Sequence, residues 1–376
     1  MNVLFISHDA TRTGAPVALL QELYCIKNCC PNIFPEVLLL GNGELRNEFS
    51  QVCSVFKGWN KIVNLFNLVL HKFNIQYQFV YFKHKIKKGK YDCLYANTVV
   101  SLYAGCLLKK RLGIPLILHV HEAECLMHLY EITPEKLSYV DAFITVSKFA
   151  ADNLINNYSV SKDKIEIQYP ISIWTEQILR NEIGSGISLA KNDIVLIGCF
   201  VNSKWFKSID ILPILLKKFY SKYPNSLCKF VLIGLVDKEV RWRINYEISK
   251  IDNSDKVIWL EHQNNPLATL SQLDILLLLS REESFSLVAQ EAAMMRKPIV
   301  GFSHTTGVEE LLNNGGGLWS PYLDIDAIVD NIHSLYFDKG LRKRIGNNAY
   351  NIMFNVYKNS RMMVPIVNLL NIMSTK

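Results

Sequence analysis

Short, continuous apolar runs recur along the whole chain, and segments with helical spacing of apolar residues separate most of them. Runs of this kind are typical of parallel strands that are buried on both faces of a sheet. The first series comprises residues 3–6, 36–40, 93–95, 116–120, 142–146 and 164–167. The second series comprises residues 194–200, 229–233, 257–260, 275–279 and 299–301. Two series of alternating strands and helices predict two doubly wound α/β domains.

A looser stretch at residues 171–192 separates the two series and is the predicted linker. The length of 376 residues suits two domains, and the hydrophobic content of 49% is enough for two packed cores. We predict a first domain over residues 1–180 and a second domain over residues 181–351. A C-terminal helix at about residues 352–376 is expected to pack back on the first domain.

The formal net charge of +7 suits an anionic partner, such as a nucleotide diphosphate, an anionic lipid surface or a nucleic acid. The nine cysteines are scattered without a C-x-x-C pair, which indicates neither a disulfide framework nor a zinc ribbon. The N-terminus lacks a basic leader, and the longest aliphatic stretch, 275–279, is far shorter than the ~20 residues of a membrane span. We therefore expect a cytoplasmic protein that is either soluble or peripheral at a membrane.

The strongest chemical pattern follows the apolar run at 275–279, where a loop and a predicted helix carry Glu283 and Glu291. Ligands of open α/β sheets bind at the carboxyl ends of the strands, so this loop is a candidate site. With Ser284 or Ser286 as the helix N-cap, the free backbone N–H groups would suit a diphosphate. The two carboxylates would accept hydrogen bonds from sugar hydroxyls. The alternative is a capped amphipathic helix with two exposed glutamates.

Residues 280–293 resemble the E-x7-E segment of the retaining GT-B glycosyltransferases of family 4. The residues that match are Glu283, Phe285, Glu291 and Ala292, and those that replace two glycines are Ser284 and Ser286. Residues 297–300, 307–310 and 317–324 also resemble segments of this family. The resemblance implies the GT-B fold of the α/β class, in which two Rossmann-like doubly wound domains face each other across a cleft.

In this family the second glutamate holds the nucleotide ribose and the first contacts the donor hexose. The resemblance therefore implies that Glu291 binds ribose and that Glu283 contacts the sugar. The backbone residues that would meet the sugar and the diphosphate are Phe285, Ser286 and Leu287. Serine at position 286 narrows the permitted backbone angles relative to glycine. We also assign His262, which follows the run at 257–260, to the donor side.

Residues 198–210 resemble the family segment whose arginine and lysine neutralise the leaving diphosphate. Lys207 aligns best with the lysine, because Asp210 follows it with the family spacing, and Lys204 is the alternative. Cys199 stands in place of the arginine. Either the two lysines share the charge of the diphosphate, or the enzyme is slow or inactive.

The loop after the first apolar run, residues 8–15, contains three candidate residues. Gly14 resembles part of the family's glycine turn and is assigned to the donor side, whereas Asp9 and Arg12 are assigned to the acceptor side. The loop lacks the G-x-G-x-x-G pattern, so a nicotinamide cofactor is not indicated.

Two histidines, His119 and His121, lie at the end of the run at 116–120. His121 with Glu122 fits the family's histidine and acid that approach the donor sugar, and we assign His121 to catalysis. Alternating residues of a strand share a face, which leaves a metal site or a buried, hydrogen-bonded histidine pair as alternatives. A third ligand with diagnostic spacing is missing, and the family needs no metal, so we expect no metal and no cofactor.

Residues 72–90 contain six lysines and no acid, with aromatic residues between them. This pattern predicts contact with an anionic membrane surface. Nucleic acid and a solvated lysine face on a helix packed against the core are the alternatives, and we expect no nucleic acid among the partners.

Taken with the resemblance, these residues predict a retaining transferase that moves a hexose from a UDP- or GDP-linked donor. Lys207, Glu283 and His121 are the residues assigned to catalysis. The expected acceptor is a glycan or a lipid-linked sugar, at the inner face of the cytoplasmic membrane, in surface polysaccharide or lipopolysaccharide biosynthesis. Two alternatives remain open: a nucleotide-sugar epimerase of the same fold, and a non-catalytic subunit that binds a nucleotide-sugar.

Overall fold

In the computed structural model the chain forms two compact units. The residues that the structure describes are 1–57, 86–184, 188–189, 193–261 and 265–374. The first unit contains Met1–Ile173 and Lys358–Lys376, and the second contains Trp174–Tyr357. The boundary lies a few residues before the position expected at 180, and the chain joins the first unit again a few residues after the position expected at 352.

A parallel seven-stranded sheet forms the centre of the first unit. Its strands are β1 Asn2–Ser7, β2 Phe34–Leu39, β3 Ser54–Lys57, β4 Cys93–Asn97, β5 Leu116–Val120, β6 Ala142–Thr145 and β7 Ile165–Ile167. The strand order is β3-β2-β1-β4-β5-β6-β7, so the order reverses between β1 and β4. Ligands of such sheets bind at the carboxyl ends of the strands beside this reversal.

Helices connect these strands, as the apolar periodicity predicts. They are α1 Gly14–Cys29, α2 Arg46–Val52, α3 Leu102–Leu112, α4 Glu124–Leu129, α5 Pro134–Leu137 and α6 Lys148–Tyr158. Short 3-10 turns cover Val99–Ser101 and Lys162–Lys164. One apolar core lies between sheet and helices, where Leu4, Leu94 and Leu118 of three adjacent strands are fully buried.

The second unit contains a parallel six-stranded sheet. Its strands are β8 Val195–Phe200, β9 Cys228–Ile233, β10 Val257–Leu260, β11 Ile275–Leu278, β12 Ile299–Phe302 and β13 Gly317–Ser320. The order β10-β9-β8-β11-β12-β13 reverses between β8 and β11. The loops after β8 and β11 therefore meet at the edge where a ligand of this fold binds.

The helices of the second unit alternate with its strands. They are α7 Thr175–Leu179, α8 Leu212–Lys222, α9 Lys238–Ile248, α10 Pro266–Gln272, α11 Leu287–Met294, α12 Glu309–Leu312 and α13 Ile325–Phe337. Short 3-10 turns cover Trp205–Lys207, Ile209–Ile211 and Ser254–Lys256. The core includes Phe219 and Phe230, fully buried rings in edge contact with centroids 5.4 Å apart. Truncating either ring to alanine would cost about 3–5 kcal/mol.

Two further helices end the chain, α14 Lys339–Ser360 and α15 Val364–Ser374. Most of α14 belongs to the second unit, whereas α15 packs against β4, β6 and β7 of the first. The Gln168 side chain, beyond β7, donates to the carbonyl of Ser360 at 3.1 Å. The C-terminal segment thus completes the first unit.

The fold class expected from sequence, two Rossmann-like α/β units, is confirmed by these two parallel sheets. All of the predicted strands are present, but β3 and β13 lie outside the predicted series. Both pair with a single neighbour at the end of the strand order, and both contain partly exposed residues. Edge strands of this kind lack the continuous apolar run that marks a strand buried on both faces.

Across the described residues, no helix has the length and apolar character needed to cross a membrane.

Candidate active site

The loop after β11 leads into α11 through Ser286, which caps the helix. Ser286 has an extended backbone with φ −91° and ψ 105°, and its Oγ accepts from the Ala289 N–H at 3.3 Å. The serine therefore fits this position without strain. The first N–H groups of a helix have no intrahelical acceptor and carry the positive end of the dipole, so the start of α11 favours an anion.

Glu283 is held at the β11 edge by its backbone as well as its side chain. Its N–H donates to the Thr305 carbonyl at 2.8 Å, and its carbonyl accepts from the Gly307 N–H at 3.1 Å. The Ser280 hydroxyl donates to one carboxylate oxygen at 3.0 Å, and the Lys207 ammonium donates to the other at 2.6 Å. Two residues assigned to catalysis, on loops after different strands, are thus in direct contact.

The loop after β8 brings Lys207, rather than Lys204, against Glu283. Lys207 ends a 3-10 turn, and the next residue, Ser208, adopts the left-handed conformation with φ 58°. Lys204 starts this turn with an exposed side chain, while its carbonyl accepts from the Lys207 N–H at 2.9 Å. Left-handed backbone angles are those that glycine favours, and Ser208 adopts them here with a side chain.

Glu291 lies in the second turn of α11 and is 8% exposed. The Glu283 side chain is 16% exposed. The alternative of an amphipathic helix with two exposed glutamates is therefore wrong. Burying a carboxylate costs free energy unless the group is hydrogen-bonded. Buried ionisable groups of this kind are typical of functional sites.

The position of the missing arginine, Cys199, is buried in the core of the second unit. Burial raises the pKa of its thiol to about 12, so the side chain is neutral and supplies no charge. A different cation, Arg281, lies over the Trp205 ring at 4.8 Å and donates to both carboxylate oxygens of Asp210 at 2.8 and 2.7 Å. Sequence reasoning missed Arg281 as a contact of this loop, although it stands two residues before Glu283.

In the first unit, the loop after β1 is shaped by Asp9. Its carboxylate accepts from the Thr11 N–H at 3.0 Å and from the Thr11 hydroxyl at 2.9 Å, which closes a side-chain turn. The Arg12 guanidinium pairs with Glu48 of α2 at the surface. A Cβ atom at Gly14, the first residue of α1, would meet no protein atom within 4 Å. Packing within the described chain therefore does not require glycine there.

The ends of β4 and β5 form a polar cluster with α1. The His119 and His121 rings lie 4.0 Å apart, and the Tyr95 hydroxyl contacts His119 Nδ1 at 2.7 Å. The buried Glu22 carboxylate lies 3.4 Å from both His119 Nδ1 and the Tyr95 hydroxyl. Asn97 contacts His121 Nε2 at 2.8 Å. We call these five residues, together with Glu122, the histidine cluster.

Burial dominates the electrostatics of the histidine cluster. It raises the pKa of Glu22 to about 7 and lowers that of His119 to about 3. Burial and the neighbouring His119 hold the pKa of His121 well below its ordinary value. Burial also raises the pKa of Glu122 to about 7, against hydrogen bonds from the N–H groups of Val99 and His121. At neutral pH both imidazoles are therefore neutral.

The sequence left two alternatives for His119 and His121, a metal site and a buried, hydrogen-bonded histidine pair. Among the described residues, no three His, Cys, Asp or Glu side chains are grouped as metal ligands. His119 is fully buried, but its Nε2 has no hydrogen-bond partner in the described chain, so the pair is not fully hydrogen-bonded. Sequence reasoning missed Glu22, Tyr95 and Asn97, because each belongs to an element far from the histidines in sequence.

Two predictions concern residues that the structure does not describe. His262 lies wholly outside the described residues, and so does the part of the lysine run at 72–85. Within the described part of the run, Lys87 and Lys88 are exposed, and Lys90 pairs with Glu36 at 2.5 Å.

A groove of about 1300 Å³ lies along α3 in the first unit. Its lining includes the apolar residues Leu102, Cys106 and Ile132 as well as lysines such as Lys110. None of the predicted site residues lines this groove. The groove is therefore separate from the predicted site residues that the structure describes.

Comparison with known proteins covers both units. Residues 186–352 match the model of the glycosyl transferases group 1, and residues 44–170 match the model of glycosyltransferase family 4. N-acetyl-alpha-D-glucosaminyl L-malate synthase of Bacillus anthracis is 26% identical over 31% of this chain, and the match spans only 30% of that relative's length. An uncharacterised glycosyltransferase of Methanocaldococcus jannaschii is 22% identical over 75% of this chain and 76% of its own.

Solved structures share the fold along nearly the whole chain. Anabaena HepE, in complex with UDP and glucose, superposes with a TM-score of 0.71 at 18% identity, covering 97% of this chain and 99% of that one. WaaG, a glycosyltransferase involved in lipopolysaccharide biosynthesis, superposes with a TM-score of 0.62 at 11% identity, covering 96% and 99%. The two parallel sheets and these neighbours show the GT-B fold, and the two family matches together cover most of the sequence. The chain belongs to the group 1 glycosyl transferases of glycosyltransferase family 4.

Proposed function

We propose that this chain is a retaining glycosyltransferase that moves a hexose from a UDP- or GDP-linked donor. The observation that carries the proposal is the contact between Lys207 and Glu283 at 2.6 Å, beside the start of α11 and at the strand reversal of the second sheet. A cation, a carboxylate and a helix N-terminus at one point suit a diphosphate joined to a sugar. Glu291, in the second turn of α11, is the proposed ribose contact.

The reaction would break the bond between the anomeric carbon and a diphosphate oxygen. A new bond would form from the same face of that carbon to an acceptor hydroxyl, whose proton would pass to a phosphate oxygen. Negative charge grows on the diphosphate as it leaves, so Lys207 and the positive end of α11 would stabilise the transition state more than the ground state. The chain then acts chiefly by positioning the reactants and stabilising charge.

The comparisons support the donor class in this proposal. Structures of HepE contain UDP, UDP-glucose or UDP with glucose. The involvement of WaaG in lipopolysaccharide biosynthesis supports a surface glycan or a lipid-linked sugar as the acceptor. These relatives are distant, so they support a chemical class and not a particular sugar.

A screen of nucleotide-sugars by thermal shift tests the proposal. A bound donor stabilises the native state by mass action, by about 2.7 kcal/mol at a hundredfold excess over Kd. We expect a rise in Tm with one UDP- or GDP-sugar, which is smaller in Glu291→Ala. Release of the nucleoside diphosphate only when an acceptor is present would then identify a transferase.

Other outcomes of this screen point to the alternatives. Conversion of the donor sugar without an acceptor would indicate an epimerase. The neutral Cys199 in place of the arginine favours a second candidate, a non-catalytic subunit that binds a nucleotide-sugar. Binding without turnover on any acceptor would support that candidate. No Tm shift with any nucleotide-sugar would contradict the donor assignment.

We further propose that the acceptor lies at an anionic membrane surface, which the lysine run at 72–90 contacts. Exposed Lys87 and Lys88 support this proposal, because each lysine near an anionic surface contributes about 1 kcal/mol. Replacing Lys83, Lys85, Lys87 and Lys88 with glutamine should abolish co-sedimentation with anionic vesicles and spare transfer to a soluble acceptor analogue. A wild-type protein that ignores anionic vesicles at low salt would refute it.

A further inference from the structure

Asn97, the last residue of β4, links two parts of the first unit's site. Its side chain is fully buried, and its amide Nδ2 donates to the Ala15 carbonyl at the start of α1 at 3.0 Å. The amide Oδ1 lies 2.8 Å from Nε2 of His121 at the end of β5. One side chain therefore connects the start of α1 to His121, which the sequence analysis assigned to catalysis.

The amide can satisfy both contacts in only one orientation. The Ala15 carbonyl has no proton to give, so it must face the NH₂ group of Asn97. The Oδ1 atom is then left facing His121, and since Oδ1 can only accept, Nε2 must carry the proton. A neutral imidazole has one proton, so Nδ1 of His121 is left as an acceptor.

Nothing in the described chain occupies that acceptor, because Nδ1 of His121 makes no hydrogen bond to a described residue. His121 is partly exposed and lies at the carboxyl edge of the sheet, beside the reversal between β1 and β4. This is the edge where ligands of such sheets bind. A bare ring nitrogen at this position suits a sugar hydroxyl, which can donate to it.

We propose that Asn97 is a positioning residue that fixes His121 as the Nε2-protonated tautomer, so that Nδ1 accepts a hydrogen bond from a substrate hydroxyl. The inference rests on the proposed function, which it deepens by assigning the direction of one hydrogen bond to the sugar. A protonated His121 would carry a proton on both nitrogens and could not accept that bond.

Several titratable groups face His121 and must be kept constant in any test. The groups that act on His121 directly are Glu22 of α1, His119 of β5, Glu122 after β5 and His8 in the loop after β1. Tyr95 and Asp9 stand one contact further away, against His119 and His8. A pair of substitutions at position 97 meets this requirement, because Asn97→Ala and Asn97→Asp both remove the donor to Ala15. At the His121 side only Asn97→Asp keeps an acceptor for Nε2, whereas at the Ala15 side its second carboxylate oxygen replaces the NH₂ donor.

The two variants should differ in the pH dependence of turnover. Asn97→Ala leaves either tautomer free to form, so kcat should fall roughly tenfold at every pH, the factor for losing one hydrogen bond, with little change in donor KM. Asn97→Asp still accepts from Nε2, but its charge raises the pKa of His121. Its activity should therefore be lost at acidic pH and recover as pH rises, with the acid limb displaced to higher pH. Asn157→Asp, which adds the same charge at an exposed position of α6, should leave the profile unchanged.

Nitrogen NMR of the histidine-labelled protein provides a readout that does not depend on activity. Long-range proton–nitrogen correlations should show His121 as the Nε2–H tautomer in the wild type and as a mixture in Asn97→Ala, with His121→Gln used to assign the signals. An Nδ1–H tautomer in the wild type would overturn the proposal. Identical pH profiles for the wild type and Asn97→Asp would overturn it as well. If the wild type turned over no nucleotide-sugar, the proposed function would fail, and the NMR result would still decide the tautomer.

Discussion

The loop at the start of α11 and the histidine cluster occupy the same kind of position, the carboxyl edge of a parallel sheet beside the strand reversal. They are built in opposite ways. Glu283, Ser286 and Glu291 come from one strand–loop–helix segment, and Lys207 contacts Glu283 from the loop after β8. The histidine cluster takes its members from α1, β4 and β5. A contiguous site leaves a motif that can be recognised along the sequence. In a site assembled from several elements, only single residues such as the two histidines can be recognised.

The largest expected effect tests the contiguous site. Lys207→Ala should lower kcat by about 10²–10³, because the charge that it meets develops in the transition state, as for the loss of an oxyanion donor. The fold should be retained, since the Lys207 side chain is 22% exposed. Steady-state kinetics with the donor found by thermal shift measure the effect.

Lys204→Ala is the matched control for that variant. It removes the same side chain from the same loop, but the exposed Lys204 does not contact Glu283. We expect its kcat to stay within about twofold of the wild type, which corresponds to less than about 0.5 kcal/mol. A loss confined to Lys204→Ala would show that the loop alignment is wrong.

Sequence reasoning reached the fold and the contiguous site for the same reason, which is that both depend on local patterns. Buried parallel strands appear as apolar runs, and the E-x7-E segment lies within one strand, loop and helix. The edge strands β3 and β13 lack such runs and were not predicted. Tyr95 and Asn97 were not predicted either, because their roles depend on β4 lying beside β5 in the sheet. That adjacency is a tertiary fact, which spacing along the chain does not reveal.

A second prediction tests the cost of assembling the histidine cluster. Glu22 is 3% exposed, and its pKa is raised by burial from the ordinary 4.5 to about 7. Between these values the unfolded chain releases a proton that the folded chain keeps, so the free energy of unfolding falls as pH rises. The fall attributable to Glu22 amounts to about 3 kcal/mol, complete above pH ~7. Glu22→Gln should remove this fall, seen as a smaller loss of Tm between pH ~5 and ~8.

Glu122 provides the comparison for this prediction. Its pKa is also raised to about 7 by burial, so it contributes a fall of the same sign that Glu22→Gln leaves in place. Adding Glu122→Gln should flatten the pH dependence further. If Glu22→Gln left the pH dependence of Tm unchanged, the pKa of Glu22 in the folded state would not be raised by burial.

A third prediction separates the two glutamates of the contiguous site. Glu291→Ala should weaken binding of the nucleoside diphosphate by roughly 1.5–3 kcal/mol, the cost of losing a charge-assisted acceptor for ribose hydroxyls. Glu283→Ala should leave this affinity nearly unchanged and reduce turnover and sugar discrimination instead. Isothermal titration with UDP and GDP measures the first effect. Unchanged affinity in Glu291→Ala would remove the ribose assignment.

The smallest expected effect concerns Ser286, where the sequence departs from the family glycine. The backbone angles, φ −91° and ψ 105°, are ordinary for serine, and the hydroxyl caps α11 by accepting from Ala289. Ser286→Gly should therefore cost only a few tenths of a kcal/mol in stability, whereas Ser286→Ala should cost about 0.5–2 kcal/mol. Turnover of Ser286→Gly should stay within about twofold of the wild type. A large gain in kcat would mean that the donor loop needs angles open only to glycine when a substrate binds.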